Sequence, residues 1–440
     1  MRLIQLEKIL LSIILIIFGL IVLHAPLSVG FGVLFPDYSL IIKSWKEILI
    51  FISLIILSIT ISRRELWRSV FNDWLVRLIA VYAGLHFLLI LFKFNNLTVS
   101  FAGLAIDLRY LAFFILVYVF MKITGGIYKN MILIVNTLGA VIVTGFAVLQ
   151  LFLPTDFLKY IGYSRQSISP YLTVDKNYDY IRIISTLRGP NPLGAYAVII
   201  LSIALAFIVN MKNKLIDKKY TYLAYCLIAT SSIALWFSYS RSALIAGLGA
   251  VFVILVVKYA NQINKKLYFA IGIVILVSLG GLFLARDTAI VSNIILHENP
   301  ADNNDINSND GHLESLIEGL RRVASEPLGA GIGSTGSASL FGDKPLIIEN
   351  QYLFIAHESG WIGLVLFLSI FIIIMNRLWH DRQDFLSLGL FASGAGLAFI
   401  GLLLPVWVDD TVSIVWWGLS AVAIVGKAKY GISKTNKKTT

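Results

Sequence analysis

"YLFIAHESGWIGLVLFLSIFIIIM", Tyr352–Met375, is longer than the roughly 20 apolar residues an α-helix needs to cross a bilayer, and Arg377 and Arg382 follow it directly. Such a run reads as a membrane span with a basic flank. Eleven further apolar segments are long enough, or nearly so, to cross. The whole chain has the matching composition: 58% hydrophobic and only 14% charged residues, with a mean hydropathy of +0.82. A soluble protein must solvate its exterior and does not reach these values. The expected fold is an all-α polytopic membrane protein of about 12 transmembrane helices.

Two long loops interrupt the spans. The chain divides into helices 1–5 within 1–153, a first loop at 154–192, helices 6–9 within 193–285, a large loop at 286–351, helices 10–12 within 352–426, and a basic tail at 427–440. Lysine and arginine accumulate on cytoplasmic loops. With the N-terminus inside, the inner segments hold 22 of the 36 basic residues and only 6 of the 25 acidic ones. Both termini are therefore expected in the cytoplasm, and both long loops outside it. The basic start and short apolar core to Leu23 resemble a signal peptide, but no small-x-small cleavage site follows, so a retained first span is expected. The single cysteine, Cys226, excludes an intrachain disulfide and a thiolate metal cluster.

The large loop opens with "HENPADNNDINSNDG", an acidic connector, and then turns helical. Leu313, Leu316, Ile317, Leu320, Val323 and Ala324 recur at three- and four-residue spacing, predicting an amphipathic helix over 311–326. Asp310 or Gly311 can cap it, His312 falls in its first turn, Glu318 can pair with Arg322, and Pro327 ends it. The following "GIGSTG", Gly331–Gly336, spells a dinucleotide-binding turn. That fingerprint has meaning only after a strand and before a helix, and here a helix precedes it and a span follows. The remaining readings are a surface loop and a cradle of backbone amides for an anion.

Charged groups gather toward the outer ends of the spans. Arg182 and Arg188 flank "IISTL" just before "GPNPLGAY", where Pro192 suits the first turn of a helix and the preceding polar residues can cap it. A helix start beside two guanidiniums suits an anion. Arg241 lies between two spans and is cheapest at an interface, since an arginine at mid-bilayer costs at least about 3 kcal/mol. Asp107 and Arg109 are two apart, point to different helix faces, and each need a partner elsewhere. His312, Glu349, His357 and Glu358 are the available general bases, with His312 the foremost single choice.

Four segments carry a resemblance. "RIISTLRGPNPLGAY" resembles the Arg-x-x-Gly-Thr-Phe-Gly-Asn-Pro-Asn-x-Leu-Gly signature of the O-antigen ligase and Wzy polymerase family, with Arg182 and Asn191 on matching positions. Ser185, Arg188 and Gly189 depart from it. "WFSYSRSALIAG" is similar to the segment holding the family's second arginine, here Arg241. "GHLESLIEGLRRVASEPLGAGIGS" and "ENQYLFIAHESGWIGL" resemble the helix, the glycine turn and the closing segment of its large loop. Where ligases commonly carry histidine before Asn-x-Tyr-Leu, this chain has Glu349, a departure that favours a polymerase.

The resemblance implies a membrane glycosyltransferase acting on an undecaprenyl-pyrophosphate-linked glycan at the outer face of the cytoplasmic membrane. The acceptor would be another glycan, a lipid or a protein, with no cofactor, no metal and no nucleic acid. Arg182, Arg188, Arg241, Arg322 and Asn191 would bind the pyrophosphate or its sugar. His312 or Glu349 would take the acceptor proton, with Asp107, Arg109, His357 and Glu358 as secondary candidates. A secondary transporter or flippase is the alternative; it would show related halves and charges along a path through the membrane, whereas here the charges gather at one face.

Overall fold

The computed structural model describes residues 3–93, 96–174, 177–211, 218–259 and 308–425, with side chains of the last segment described from Glu314 onward. The expected span at Leu267–Ala285, the acidic connector and the basic tail lie outside the described residues. Among the described residues, nine helices are long and apolar enough to cross a membrane, and two shorter apolar helices accompany them. The described residues are thus predominantly helical, and the chain is a polytopic membrane protein.

The helices follow the apolar runs. Helix α1 (Leu3–Leu20) continues through a 3-10 turn into α2 (His24–Leu34), and the pair forms one candidate span of 32 residues. Pro26 does not break it, because it falls in the first turn of α2, where no helical partner for its missing N–H is needed. A short α3 (Ser39–Lys43) leads into α4 (Trp45–Arg63), then α5 (Trp67–Phe71), α6 (Trp74–Phe92), α7 (Leu97–Thr124) and α8 (Lys129–Gln150). After the first loop come α9 (Pro190–Asn210), α10 (Lys218–Phe237) and α11 (Arg241–Tyr259). The last group is α12 (Ser308–Ser325), α13 (Gly336–Ser339), α14 (Gln351–His380), α15 (Phe385–Ile400) and α16 (Asp410–Ile424).

Three local expectations are corrected. The first loop is not wholly irregular: β1 (Leu172–Val174) and β2 (Asn177–Arg182) form a small antiparallel hairpin, the one departure from all-α among the described residues. Helix α12 begins at Ser308, so His312 lies in its second turn; Ser308, Asn309 and Asp310 are polar residues suited to a first turn. Helix α9 has Gly189 at its N-cap with no side-chain cap, and proline at its start in place of one.

Helix α9 packs between α10, α11 and α15, while α16 lies along α7. Trp407, Trp416 and Trp417 stack edge-on and tilted with ring centres 5.2–5.5 Å apart, and Phe371 and Tyr110 close the cluster. Fully buried aromatics of this size contribute area and a fixed shape at once. They hold α16 against α7 and α14, and so set where the first residues of α16 sit.

At the opposite end of α7, Asp73 caps α6 and accepts hydrogen bonds from Tyr118 (2.6 Å) and Arg377 (3.0 Å), with Lys122 also on its Oδ2. Burial alone would raise its carboxyl; the Lys122, Tyr118 and Arg377 bonds outweigh that and hold it well below the usual carboxylate range. A folded-state value below the unfolded one gives stability that is present above about pH 4 and lost as pH falls through the folded value. Thermal unfolding in detergent should therefore show an acid-dependent loss below about pH 4 that is smaller in Asp73→Asn. Identical acid slopes for the two proteins would remove this carboxylate as the cause.

Candidate active site

A cavity of about 870 Å³ opens between the α2–α3 corner, α7 and the loop around α13. One stripe of α7 lines it: Leu97, Thr98, Phe101, Ala102, Ala105, Ile106 and Arg109. These positions share a helical face, and from Leu97 to Arg109 they descend about 18 Å. Ala102 and Ala105 leave the room that larger side chains would fill. The upper rim is apolar and open, with Val33, Leu40, Leu97, Phe101, Leu340 and Phe341 each more than half exposed.

The floor is charged. Asp410, 2% exposed at the start of α16, is surrounded by His24, Lys46 and Arg109, themselves 5%, 2% and 6% exposed. Its Oδ2 lies 2.9 Å from His24 Nε2, 3.4 Å from Lys46 Nζ and 3.9 Å from Arg188 Nη1, and its Oδ1 pairs with Arg109. Trp45 Nε1 donates to His24 Nδ1 at 3.1 Å. Nδ1 is thereby the acceptor nitrogen, and the ring's N–H is the one that points to Asp410. Glu47 bridges Lys46 (3.1 Å) and Arg109 (3.4 Å). Asp409 instead turns onto its own helix and accepts the Thr411 and Val412 amides at 3.0 Å. Three cations thus face two carboxylates, and the Arg188 side chain, 51% exposed, is the cation that extends into the opening.

The arginine set expected to share one anion is divided among three places. Arg188 reaches the cavity floor. Arg182 donates from Nε to the Ser238 carbonyl (2.9 Å) and from Nη2 to Asn191 Oδ1 (2.7 Å), tying β2 to the start of α9 and to the turn before α11. Arg241, half-buried, is the first residue of α11 in that same turn. The two helix starts touch closely: a Cβ on Gly194 would lie 2.7 Å from the Ala243 Cβ. Arg322 sits apart on α12 in a half-exposed pair with Glu318 at 2.8 Å, the pairing its spacing predicts.

Asp107 and Arg109 part company as their spacing requires. Arg109 joins the cavity floor, whereas Asp107 lies 3.7 Å from His86 and beside the Glu358 carboxyl. His357 and Glu358 are buried at 3% and 1% exposed, in the turns of α14 just before a break in helical geometry at Gly360. Glu349 is half-buried ahead of α14, and its amide donates to Ser315 Oγ on α12 at 3.4 Å. That contact brings Glu349 against the helix carrying His312, three residues before Ser315. The His312 side chain itself lies outside the described residues.

The glycine turn holds a carboxyl group, but an internal one, that of Glu358. The Thr335 amide donates to Glu358 Oε1 at 3.1 Å, the Gly333 amide also hydrogen-bonds this carboxyl, and the Gly331 amide donates to the Glu358 carbonyl at 3.2 Å. Gly333 has φ +82°, and a Cβ there would run into the Val99 carbonyl. The glycines serve close approach of protein to protein, and the space a nucleotide would need is filled by α7 and α14.

Four residues of the floor escaped the sequence reading: His24, Lys46, Glu47 and Asp410. Each lies at the edge of an apolar run, Lys46 beside Glu47 and Asp410 beside Asp409, and the signal available was the cost of such charges next to membrane spans. Residues 226–368 match the family model described as O-antigen ligase. No curated protein matches the chain. The matched stretch holds Arg241, His312, Arg322, Glu349, His357 and Glu358, together with the α13 wall of the cavity, while the charged floor comes from helices outside it. Over that stretch, the chain is similar to the O-antigen ligase family.

Proposed function

We propose that this chain transfers a glycan from an undecaprenyl-pyrophosphate carrier to an acceptor hydroxyl at the outer face of the cytoplasmic membrane. One observation carries the reading. A single cavity joins an apolar, open rim to a cationic floor, as a lipid with a diphosphate head requires. The isoprenoid chain would lie along Leu97, Phe101 and Phe341, and the diphosphate would meet Arg188, with Lys43 and Lys46 beside it. The outer placement rests on the distribution of lysine and arginine along the chain.

In the reaction, the acceptor oxygen bonds to the anomeric carbon while the bond from that carbon to the phosphate oxygen breaks. The lipid diphosphate leaves with the electron pair, and the acceptor proton passes to the base. Charge growing on the leaving oxygen is stabilised by a guanidinium already in place. Glu349, held against α12, or His312 on that helix takes the proton. Arg182, Asn191 and Arg241 build the junction of α9 and α11 from which Arg188 extends. Whether the acceptor is a second lipid-linked glycan, as in a polymerase, or a lipid core or protein, as in a ligase, is decided by which acceptors react.

The test is transfer in vitro with purified protein, a lipid-diphosphate oligosaccharide and a panel of acceptors. Product is expected with the wild type, including in EDTA, and is expected to fall in Arg182→Ala, Arg241→Ala and His312→Ala. Unchanged yield in all three would overturn this site. Uptake of a solute into proteoliposomes without lipid-linked donor would support a transporter instead.

A further inference from the structure

The buried Glu358 does not line the cavity, yet one oxygen of its carboxyl and its main-chain carbonyl are both bonded to the glycine turn. Its Oε1 accepts the Thr335 amide at 3.1 Å, with the Gly333 amide directed at the same carboxyl. The other carboxyl oxygen, Oε2, is buried beside the Asp107 carboxyl with no hydrogen-bond partner among the described residues. Its main-chain carbonyl accepts the Gly331 amide. One residue of α14 therefore holds three amides of the glycine turn.

From Thr335 the connection runs on. Thr335 Oγ1 donates to the Leu346 carbonyl (3.2 Å) and accepts the Ile348 amide (3.1 Å). Ser339 Oγ adds a second fastening: it donates to the Leu346 carbonyl at 2.8 Å and accepts the Leu346 amide at 3.0 Å. The residue after Ile348 is Glu349. The same short loop also turns Ser337, Leu340 and Phe341 toward the cavity.

We infer that Glu358 is a positioning residue: through the amide and hydroxyl of Thr335 it fixes Leu346–Glu349, and with it the Glu349 carboxylate, without touching substrate. This rests on the transferase reading above and on Glu349 lying at the reaction centre. The oxygen count explains which substitute can stand in. Glutamine keeps the oxygen that the amides of the turn need and places its NH2 beside Asp107, so the bonds to the turn survive. Alanine leaves the amides of the turn buried without partners, and the turn must move to find water. A displacement of 1 Å at a reacting group can cost about 100-fold in rate.

Steady-state transfer should be measured for Glu358→Gln, Glu358→Ala, Thr335→Val and Thr335→Ser, with hydrogen exchange followed over residues 329–349. Glu358→Gln is expected to keep at least roughly a third of wild-type kcat with an unshifted pH profile. Glu358→Ala and Thr335→Val are expected to lose about 30-fold or more in kcat with donor KM changed less than about twofold, and Thr335→Ser to recover most of it. Exchange protection over 330–348 should fall in Glu358→Ala and persist in Glu358→Gln. A Glu358→Gln protein as inactive as Glu358→Ala, with protection intact, would overturn the inference and assign proton transfer to Glu358 itself. Full activity in Thr335→Val would overturn it as well. If Glu358→Ala fails to fold, the Thr335 pair decides alone. Absence of transfer in every protein, wild type included, would sink the functional reading, while the exchange pattern would still report whether Glu358 braces the turn.

Discussion

Asp410→Ala is expected to destabilise the folded protein by roughly 3–5 kcal/mol, the usual cost of removing one partner from a buried ion pair. Asp410 is the meeting point of four helices' charges: His24 from α2, Lys46 from α4, Arg109 from α7, and its own place at the head of α16. Without it, Lys46 and Arg109 stay 2% and 6% exposed with Glu47 as the carboxylate they share and one backbone carbonyl each, of Lys43 and Val408. The loss comes from stranded cations more than from a missing attraction, so the double variant Asp410→Ala/Lys46→Met should recover part of it, a coupling that a double-mutant cycle isolates. Asp410→Asn, which keeps an acceptor for His24 and Arg109, should fall between. Thermal unfolding in detergent measures the series. A midpoint for Asp410→Ala equal to the wild type would show that this network does not carry the fold.

Arg188→Ala is expected to do the reverse, leaving stability nearly untouched while lowering transfer by about 100- to 1,000-fold in kcat/KM, the range seen when a group that stabilises transition-state charge is removed. The side chain is 51% exposed and its nearest carboxylate oxygen is 3.9 Å away, so the pair itself contributes no more than about 1 kcal/mol to folding. Its value lies in presenting a planar, permanently charged fork in the cavity. Arg188→Lys keeps the charge but not the fork, and should retain an intermediate rate. Arg182→Ala provides the contrast: that side chain is bonded to Asn191 and to the Ser238 carbonyl, so its loss should lower the unfolding midpoint and the rate together. Should Arg188→Ala transfer glycan at the wild-type rate while remaining folded, the diphosphate must sit elsewhere.

The spans were legible because length and apolarity are local quantities. The run Tyr352–Met375 appears as Gln351–His380, and Leu104–Met121 as Leu97–Thr124, each extended by polar turns that helix geometry tolerates. The first span reads short because His24 and Pro26 interrupt the apolar run, although the helix continues through them. The hairpin Leu172–Arg182 was invisible, since its three- and six-residue strands carry too few residues to show a period-two pattern. Arg109 could be seen to need a partner, but nothing local could say that the partner stands three hundred residues away.

By itself, the sequence determined that this protein lives in a membrane, roughly where each helix runs, that Glu318 pairs with Arg322, and that Asp107 and Arg109 serve different neighbours. These follow from hydrophobic run length and helical periodicity, which act within a few turns. Tertiary structure alone decided that His24, Lys46, Arg109 and Asp410 converge under one cavity, that Arg188 rather than Arg182 reaches into it, and that "GIGSTG" cradles the protein's own Glu358. Those outcomes depend on which helices pack together, and that is set by the fit of buried surfaces such as the Trp407–Trp416–Trp417 cluster, which no single stretch of chain contains.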